Sequence, residues 1–131
     1  MQTILLLEDD KNLRETLVDI FEIQGFEVVT ATNGVEALTF LDEVAPNLIV
    51  SDVMMPEMDG FEFLKRIKKN PQMENTPVIM LTANTLQEVK YKGLEYGAND
   101  YITKPFDTKE LLFKVQNLIK INNNSHSERT M

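Results

Sequence analysis

The sequence predicts an α/β domain in which five parallel β-strands form one sheet, with helices covering both of its faces. Strand-like apolar runs alternate five times with segments whose apolar residues recur at helical spacing, and such alternation is typical of parallel sheets. The runs Leu5–Leu7 and Leu48–Val50 are apolar at every position. Strands that are buried on both faces have this composition, which indicates a doubly wound sheet.

The predicted elements follow one another in order along the chain. The strands lie near residues 3–8, 27–31, 47–52, 77–82 and 100–104. Apolar residues at helical spacing mark the helices: Leu13, Leu17, Ile20 and Phe21 in the first, Val35, Leu38 and Leu41 in the second, Phe61, Leu64 and Ile67 in the third, the segment of about 86–96 as the fourth, and Leu111, Leu112, Val115, Leu118 and Ile119 in the fifth. Glycine or proline follows each of the first four and is expected to end it.

Helix starts are marked by a capping residue followed three positions later by glutamate. The pairs are Asn33 with Glu36, Asp59 with Glu62, Thr85 with Glu88, and Asp107 with Glu110, and Asn12 with Glu15 repeats the spacing at the first helix. This is the spacing of the capping box or a close variant of it. It supports the helix positions independently of the apolar pattern.

Right-handed crossovers between parallel strands leave few topologies, of which the flavodoxin-like strand order is favoured. In such sheets, functional groups collect at the carboxyl ends of the strands, near the point where the strand order reverses. Four predicted strands end in reactive polar residues: Glu8-Asp9-Asp10 after the first, Asp52 in the third, Thr82 in the fourth and Lys104 after the fifth. We therefore expect these side chains to converge at one edge of the sheet.

The composition and net charge of the chain argue against several classes of protein. A chain of 131 residues can form one domain with a single core. No apolar stretch approaches the roughly 18 residues that cross a membrane, and no basic segment of a signal peptide precedes the first strand. Cysteine is absent, which excludes disulfides and thiolate chemistry. The net charge of −8 argues against nucleic-acid binding through the domain as a whole. These features fit a cytoplasmic protein.

The acidic residues at the predicted edge have the chemistry of a magnesium site. Mg²⁺ prefers oxygen ligands and needs only one or two carboxylates besides water and phosphate oxygens. Asp9 and Asp52 can supply the carboxylates, and Glu8 can orient a bound water. The ion and the Lys104 ammonium would balance the three acids, so that Asp52 can act as a nucleophile toward a phosphoryl group. Thr82 can hydrogen-bond a phosphoryl oxygen.

Taken together, these motifs resemble the receiver domain of two-component response regulators, especially the stand-alone chemotaxis type. The resemblance covers about residues 2–121 and is carried by Glu8-Asp9-Asp10, Ser51 to Pro56 with Asp59-Gly60, Leu81-Thr82-Ala83, Gly97-Ala98 and Lys104-Pro105-Phe106. It implies a phosphorylation switch that assists its own phosphorylation and dephosphorylation but is not a turnover enzyme. Residues 1–121 would form the receiver domain, and residues 122–131, which lack apolar periodicity, a disordered polar tail or a truncated linker.

The resemblance also implies roles for the residues of the site. Asp52 matches the phosphoacceptor, which takes its phosphoryl group from a histidine of a partner kinase or phosphotransfer protein. Asp9 matches the direct magnesium ligand, Glu8 the adjacent acidic position, and the backbone carbonyl of Met54 the third protein ligand. Lys104 matches the lysine that contacts the phosphate.

Thr82 and Tyr101 match the switch pair of the family. Their movement would repack the face of the fourth helix, fifth strand and fifth helix, which would then dock a downstream effector or form a homodimer. Met54 and Asn84 occupy positions that tune the phosphoryl lifetime in this family. An apolar Met54 should hinder water, whereas Asn84 could orient it, so the lifetime itself stays open.

Three other interpretations remain. A haloacid-dehalogenase-type phosphatase also uses a nucleophilic aspartate and magnesium, but it needs a second acid two residues later, where this chain has Met54. A nucleotide- or flavin-binding module would have a glycine-rich turn after the first strand, where this chain has three acids. A pseudo-receiver that is never phosphorylated is the most serious alternative, although all acceptor-site side chains are present. The cognate kinase, the output and membership of a longer regulator or hybrid kinase stay open.

Overall fold

One parallel sheet organises the domain, as the sequence predicts. The computed structural model describes residues 2–83 and 95–130, and within these ranges the strands are β1 (Thr3–Leu7), β2 (Glu27–Ala31), β3 (Leu48–Asp52), β4 (Val78–Thr82) and β5 (Asp100–Thr103). Neighbouring strands are parallel, and their order across the sheet is β2-β1-β3-β4-β5. The flavodoxin-like order is therefore confirmed, and the strand order reverses beside β1 and β3.

Helices pack on both faces of this sheet. Those within the described residues are α1 (Lys11–Ile23), α2 (Gly34–Val44), α3 (Gly60–Lys69) and the C-terminal helix (Thr108–Thr130). The predicted fourth helix, about residues 86–96 with its cap at Thr85, falls almost wholly outside the described residues. In the part of the chain that is described, no helix is both long enough and apolar enough to cross a membrane.

Two apolar cores form because successive strand residues point to opposite faces of the sheet. One core, between the sheet and α2 and α3, includes Leu5, Leu7, Ile49, Met80, Ala37, Leu41, Phe63 and Ile67. The other, between the sheet and α1 and the C-terminal helix, includes Ile4, Leu6, Val50, Ile79, Leu17, Phe21, Leu111 and Val115. Val35, predicted on the apolar face of α2, is instead 43% exposed, because Ala37 and Leu41 take the buried positions.

Within the described residues, the helix starts after Asn33, Asp59 and Asp107 agree with the predicted caps, whereas the start of α1 is capped by a residue that the spacing did not mark. The caps Asn33 and Asp59 are confirmed, since each side-chain oxygen accepts the N–H three residues on, at 2.8 and 2.9 Å. Asp107 precedes the C-terminal helix and accepts the N–H two residues on, at 2.8 Å. At α1 the cap is Asp10, whose carboxylate accepts two N–H groups of the first turn, and Asn12 lies inside the helix. Asp10 is the last extended residue before the helix, which is the position that satisfies unpaired N–H groups.

The C-terminal helix continues to Thr130. The prediction of a disordered segment from residue 122 is therefore wrong for residues 122–130. Neither glycine nor proline occurs after Thr108, and extending an existing helix requires no new nucleation. The division into a receiver domain of residues 1–121 and a polar tail stays a prediction.

Candidate functional site

The predicted site residues lie at the carboxyl edge of the sheet. Glu8 follows the last residue of β1, Asp52 is the last residue of β3, Thr82 ends β4, and Lys104 follows β5. Because β1, β3, β4 and β5 are consecutive neighbours in the sheet, their polar ends share one edge. The edge includes the reversal point between β1 and β3, where parallel α/β sheets bind ligands.

Lys104 joins two carboxylates that are far apart in the sequence. Its Nζ atom lies 2.8 Å from Oδ2 of Asp52 and 3.0 Å from Oε1 of Glu8. Glu8 and Asp52 are buried, whereas the Lys104 side chain is 22% exposed. The backbone N–H of Lys104 donates to the carbonyl of Thr82 at 2.7 Å, and the peptide bond between Lys104 and Pro105 is cis. Buried carboxylates need such a counter-charge, because leaving them unpaired in a poorly hydrated site is costly.

The turn after β1 is held by its own backbone and by Arg14. The second carboxylate oxygen of Glu8 accepts the N–H of Asp10 at 3.1 Å. One guanidinium nitrogen of Arg14 donates to the carbonyls of Glu8 and Asp9, at 2.9 and 3.3 Å. These bonds leave the Asp9 side chain exposed at the mouth of the site, where water and ions can reach it.

The position of Asp52 is set by the start of α3. The N–H of Gly60 donates to the carbonyl of Val53 at 2.8 Å, and a Cβ atom at Gly60 would collide with the carbonyl oxygen of Asp52. Glycine is therefore required where the helix approaches the strand end. The N–H of Met54 donates to the remaining oxygen of Asp52, Oδ1, at 3.3 Å, so both carboxylate oxygens of Asp52 have partners.

Burial and charge shift two titrations in the site. Burial is the largest influence on Glu8, and with the nearby Asp52 charge it raises the pKa of Glu8 from 4.5 to about 7, despite the hydrogen bond from Asp10 and the contacts with Lys104. For Lys104, burial is the largest single influence and by itself would lower the pKa. The hydrogen bonds and charges of Asp52 and Glu8 together outweigh burial, so the pKa of Lys104 is raised overall. Lys104 thus stays positively charged at neutral pH.

Three carboxylates are close enough to share one cation. Ligand oxygens of Glu8, Asp9 and Asp52 all lie within 4.8 Å of one another. An all-oxygen set with one exposed and two buried acids suits a hard divalent ion such as Mg²⁺, which completes its shell with water. The residues therefore fit the predicted cofactor. The assignment of Asp9, Asp52 and the backbone carbonyl of Met54 as direct ligands, with Glu8 orienting a bound water, stays a prediction.

Thr82 and Tyr101 lie on one side of the sheet. Met80 pairs with Tyr101 across β4 and β5, and both belong to the core that faces α2 and α3. Thr82 is two residues beyond Met80, so the strand period directs it to the same side. Thr82 is buried and Tyr101 is half-buried. The structure thus brings Glu8, Asp52 and Lys104 into direct contact, and places Thr82 and Tyr101 beside them on neighbouring strands.

Sequence reasoning named Asp10 among the acids after β1 without assigning it as the cap of α1, and it missed Arg14. The cap could have been found, because an aspartate directly before an apolar helical pattern is an N-cap signal. Arg14 could not, because its side chain binds backbone carbonyls and no residue pattern encodes that contact.

The chain is similar to known proteins over most of its length. A family model of the response regulator receiver domain matches residues 4–116. An uncharacterized 14.6 kDa protein of Leptolyngbya boryana is 45% identical over 113 residues, 86% of either chain. The CpxR homolog of Haemophilus influenzae, a transcriptional regulatory protein, is 42% identical over 92% of this chain. The present chain covers 51% of that regulator, or about half of its length.

A solved structure gives the same result. The receiver domain of a sensor histidine kinase from Pseudomonas aeruginosa, which has a magnesium ion coordinated in its active-site cleft, superposes with a TM-score of 0.84 at 30% identity. The match covers 91% of this chain and 98% of that chain. With the family model, the parallel sheet and the acidic edge in agreement, the chain belongs to the receiver domains of two-component response regulators.

Proposed function

We propose that this receiver domain accepts a phosphoryl group on Asp52 from a phosphohistidine of a partner kinase or phosphotransfer protein, with Mg²⁺ as its cofactor. Membership of the family already implies phosphorylation-dependent signalling and interaction with histidine kinases. The observation that supports phosphoryl transfer to Asp52 with Mg²⁺ is the clustering of the Glu8, Asp9 and Asp52 oxygens within 4.8 Å of one another. The Lys104 ammonium lies beside this cluster.

Asp52 is the nucleophile in this proposal. One of its oxygens attacks phosphorus, an acyl phosphate bond forms, and the phosphorus–nitrogen bond of the donor histidine breaks with its electron pair left on the imidazole. Lys104 at Oδ2 and the Met54 N–H at Oδ1 already orient the carboxylate. Holding a nucleophile in one orientation lowers the entropy lost at the transition state.

The neighbouring groups would stabilise charge on the transferred phosphoryl group. Lys104 remains protonated because its pKa is raised, and it can contact a phosphoryl oxygen. Thr82 can donate its hydroxyl to another oxygen. When bound, Mg²⁺ would neutralise charge on the phosphoryl oxygens. Asp9, Asp52 and the Met54 carbonyl are its proposed ligands, with Glu8 beside them.

We propose that Thr82 and Tyr101 transmit the effect of phosphorylation to the surface that Tyr101 joins. An open pocket of about 650 Å³ between β5 and the C-terminal helix is lined by residues that include Tyr101, Phe106 and Glu110. We propose that this surface, with the predicted fourth helix, docks a downstream effector or a second copy of the chain. The protein would work in the cytoplasm without direct contact to nucleic acid or membrane through this domain.

We also propose that the domain does not act as a turnover enzyme. Met54 stands where an aspartate-based phosphatase has its general acid, and its side chain has no proton to give a leaving group. The domain would assist only its own phosphorylation and dephosphorylation.

Intact-mass measurement tests the acceptor. The protein is incubated with Mg²⁺ and acetyl phosphate, beside Asp52→Asn and the matched control Asp59→Asn, whose new side chain can still cap α3. We expect one base-labile phosphoryl group in the wild type and in Asp59→Asn, and none in Asp52→Asn. Wild-type protein that binds Mg²⁺ but gains no mass would contradict the proposal and indicate a pseudo-receiver.

A further inference from the structure

Met54 differs in its exposure from the other methionines of the described residues. It is 75% exposed, whereas Met73 and Met80 are 4% and 2% exposed, and Met55 and Met58 pack half-buried against the core that faces α2 and α3. These five are the methionines of the described residues. Oxidation of a thioether requires collision with a dissolved oxidant, so exposure largely sets which methionine reacts first.

The exposed thioether also belongs to a residue that touches the acceptor. The Met54 N–H donates to Oδ1 of Asp52 at 3.3 Å, and the preceding residue, Val53, is fixed by a 2.8 Å bond from Gly60 to its carbonyl. The backbone that carries this side chain therefore lies at the mouth of the site. A chemical change in the thioether therefore occurs on a solvent-exposed side chain two residues from Asp52.

We propose that Met54 is an oxidation site through which peroxide-class oxidants shorten the phosphoryl lifetime of Asp52. With hydrogen peroxide, the sulfur lone pair attacks one oxygen and a sulfur–oxygen bond forms as the oxygen–oxygen bond breaks. The proton of the transferred hydroxyl passes to the departing hydroxide, which leaves as water. Sulfur is oxidised by two electrons and the peroxide is reduced, giving methionine sulfoxide. The effect on lifetime rests on the proposed function of Asp52, whereas the site of oxidation does not.

The expected direction follows from the polarity of the product. A thioether is an apolar group and a weak hydrogen-bond acceptor, so the unoxidised Met54 side chain binds water only weakly. The sulfoxide is polar and accepts hydrogen bonds, so it can hold a water close to the acyl phosphate. We expect dephosphorylation to accelerate about fivefold, the size of effect that one net hydrogen bond to the attacking water would give.

The test has two independent measurements. First, metal-free unphosphorylated protein is treated with increasing hydrogen peroxide, and peptide mass mapping gives the order in which the five methionines gain oxygen. Second, treated and untreated protein are phosphorylated with Mg²⁺ and acetyl phosphate, and the decay of the phosphorylated mass is followed after donor removal. The same decay is measured after methionine sulfoxide reductase treatment, and for Met54→Leu and Met55→Leu, each against its own untreated sample.

The proposal requires Met54 to be oxidised before the other four methionines. It also requires peroxide to accelerate the decay in the wild type and in Met55→Leu, and the reductase to restore the untreated decay rate. In Met54→Leu the decay rate must be unaffected by peroxide. Earlier oxidation of another of these methionines overturns the proposal, as does an unchanged or slower decay with Met54 oxidised. Untreated protein that takes no phosphoryl group contradicts the proposed function instead, and the order of oxidation then still tests the site.

Discussion

The ammonium of Lys104 lies 2.8 Å from Oδ2 of Asp52, and it is the positive charge that the structure places against the two buried carboxylates of the site. We expect Lys104→Met to lower the unfolding free energy of the metal-free protein by about 1–3 kcal/mol, because Asp52 and Glu8 lose their counter-charge. We also expect Mg²⁺ to raise the melting temperature of this variant more than that of the wild type, since the site becomes more negative.

Thermal unfolding with chelator and with Mg²⁺ measures both effects. Lys109→Met is the matched control, because it removes the same charge from an exposed position. Equal destabilisation by the two substitutions, or a smaller Mg²⁺ shift in Lys104→Met than in the wild type, would contradict this account of the contact.

Asp9 is the exposed member of the acidic cluster. We expect millimolar Mg²⁺ to raise the melting temperature of the wild type, because an ion that binds only the folded state stabilises it. The shift should be much smaller in Asp9→Asn. Asp10→Asn, which keeps a good N-cap for α1, should behave like the wild type. Equal shifts in the wild type and Asp9→Asn would mean that Asp9 is not a ligand.

The raised pKa of Glu8 predicts how the unfolding free energy of the metal-free protein depends on pH. In the unfolded chain the Glu8 carboxyl has its ordinary pKa of 4.5, whereas in the folded protein its pKa is about 7. Between these values the folded state binds more protons, so the contribution of Glu8 to stability is largest below 4.5 and is lost as the pH rises toward 7. We expect Glu8→Gln to remove this component.

Urea unfolding in chelator across this pH range measures the dependence. The informative quantity is the difference in unfolding free energy between the wild type and Glu8→Gln, because carboxylates remote from Glu8 titrate equally in both proteins. A difference that stays constant with pH would show that the pKa of Glu8 is not raised in the folded state.

The close approach of Gly60 to the end of β3 predicts a steric effect on Asp52. A methyl group there meets the Asp52 carbonyl oxygen and the Val53 backbone, which cannot rotate away as a side chain can. We expect Gly60→Ala to lower the unfolding free energy by about 2 kcal/mol and to slow phosphorylation by acetyl phosphate, since the backbone of Asp52 must shift. Urea unfolding and intact-mass kinetics measure the two effects.

The matched control is Gly34→Ala, at the first position of α2. A methyl group at Gly34 meets only side-chain atoms, chiefly the flexible Met58, so its cost should be smaller and Asp52 should phosphorylate normally. If Gly60→Ala proved no more costly than Gly34→Ala, the close approach of α3 to the strand end would not be the reason for glycine.

Local patterns predicted the parts of the fold that depend on neighbouring residues. The continuous apolar run Leu48–Val50 predicted a strand buried on both faces, and all five residues of β3 are buried. Asn33 and Asp59 predicted helix starts through their own short-range hydrogen bonds. The cap of α1 was left unassigned, because Asp10 and Asn12 are both good N-cap residues. The expected disorder after residue 121 was wrong, because an existing helix extends without new nucleation.

The sequence by itself determined that acids, a hydroxyl and an ammonium end successive strands, because strand period and crossover geometry bring such ends to one edge. Only the tertiary structure decided that Lys104 bridges Asp52 and Glu8, which are 52 and 96 residues away in the chain. It also decided that burial raises the pKa of Glu8 and that Met54 stays exposed beside Asp52. These properties depend on distances of a few ångströms and on exclusion of water, which arise only when strands and helices pack together.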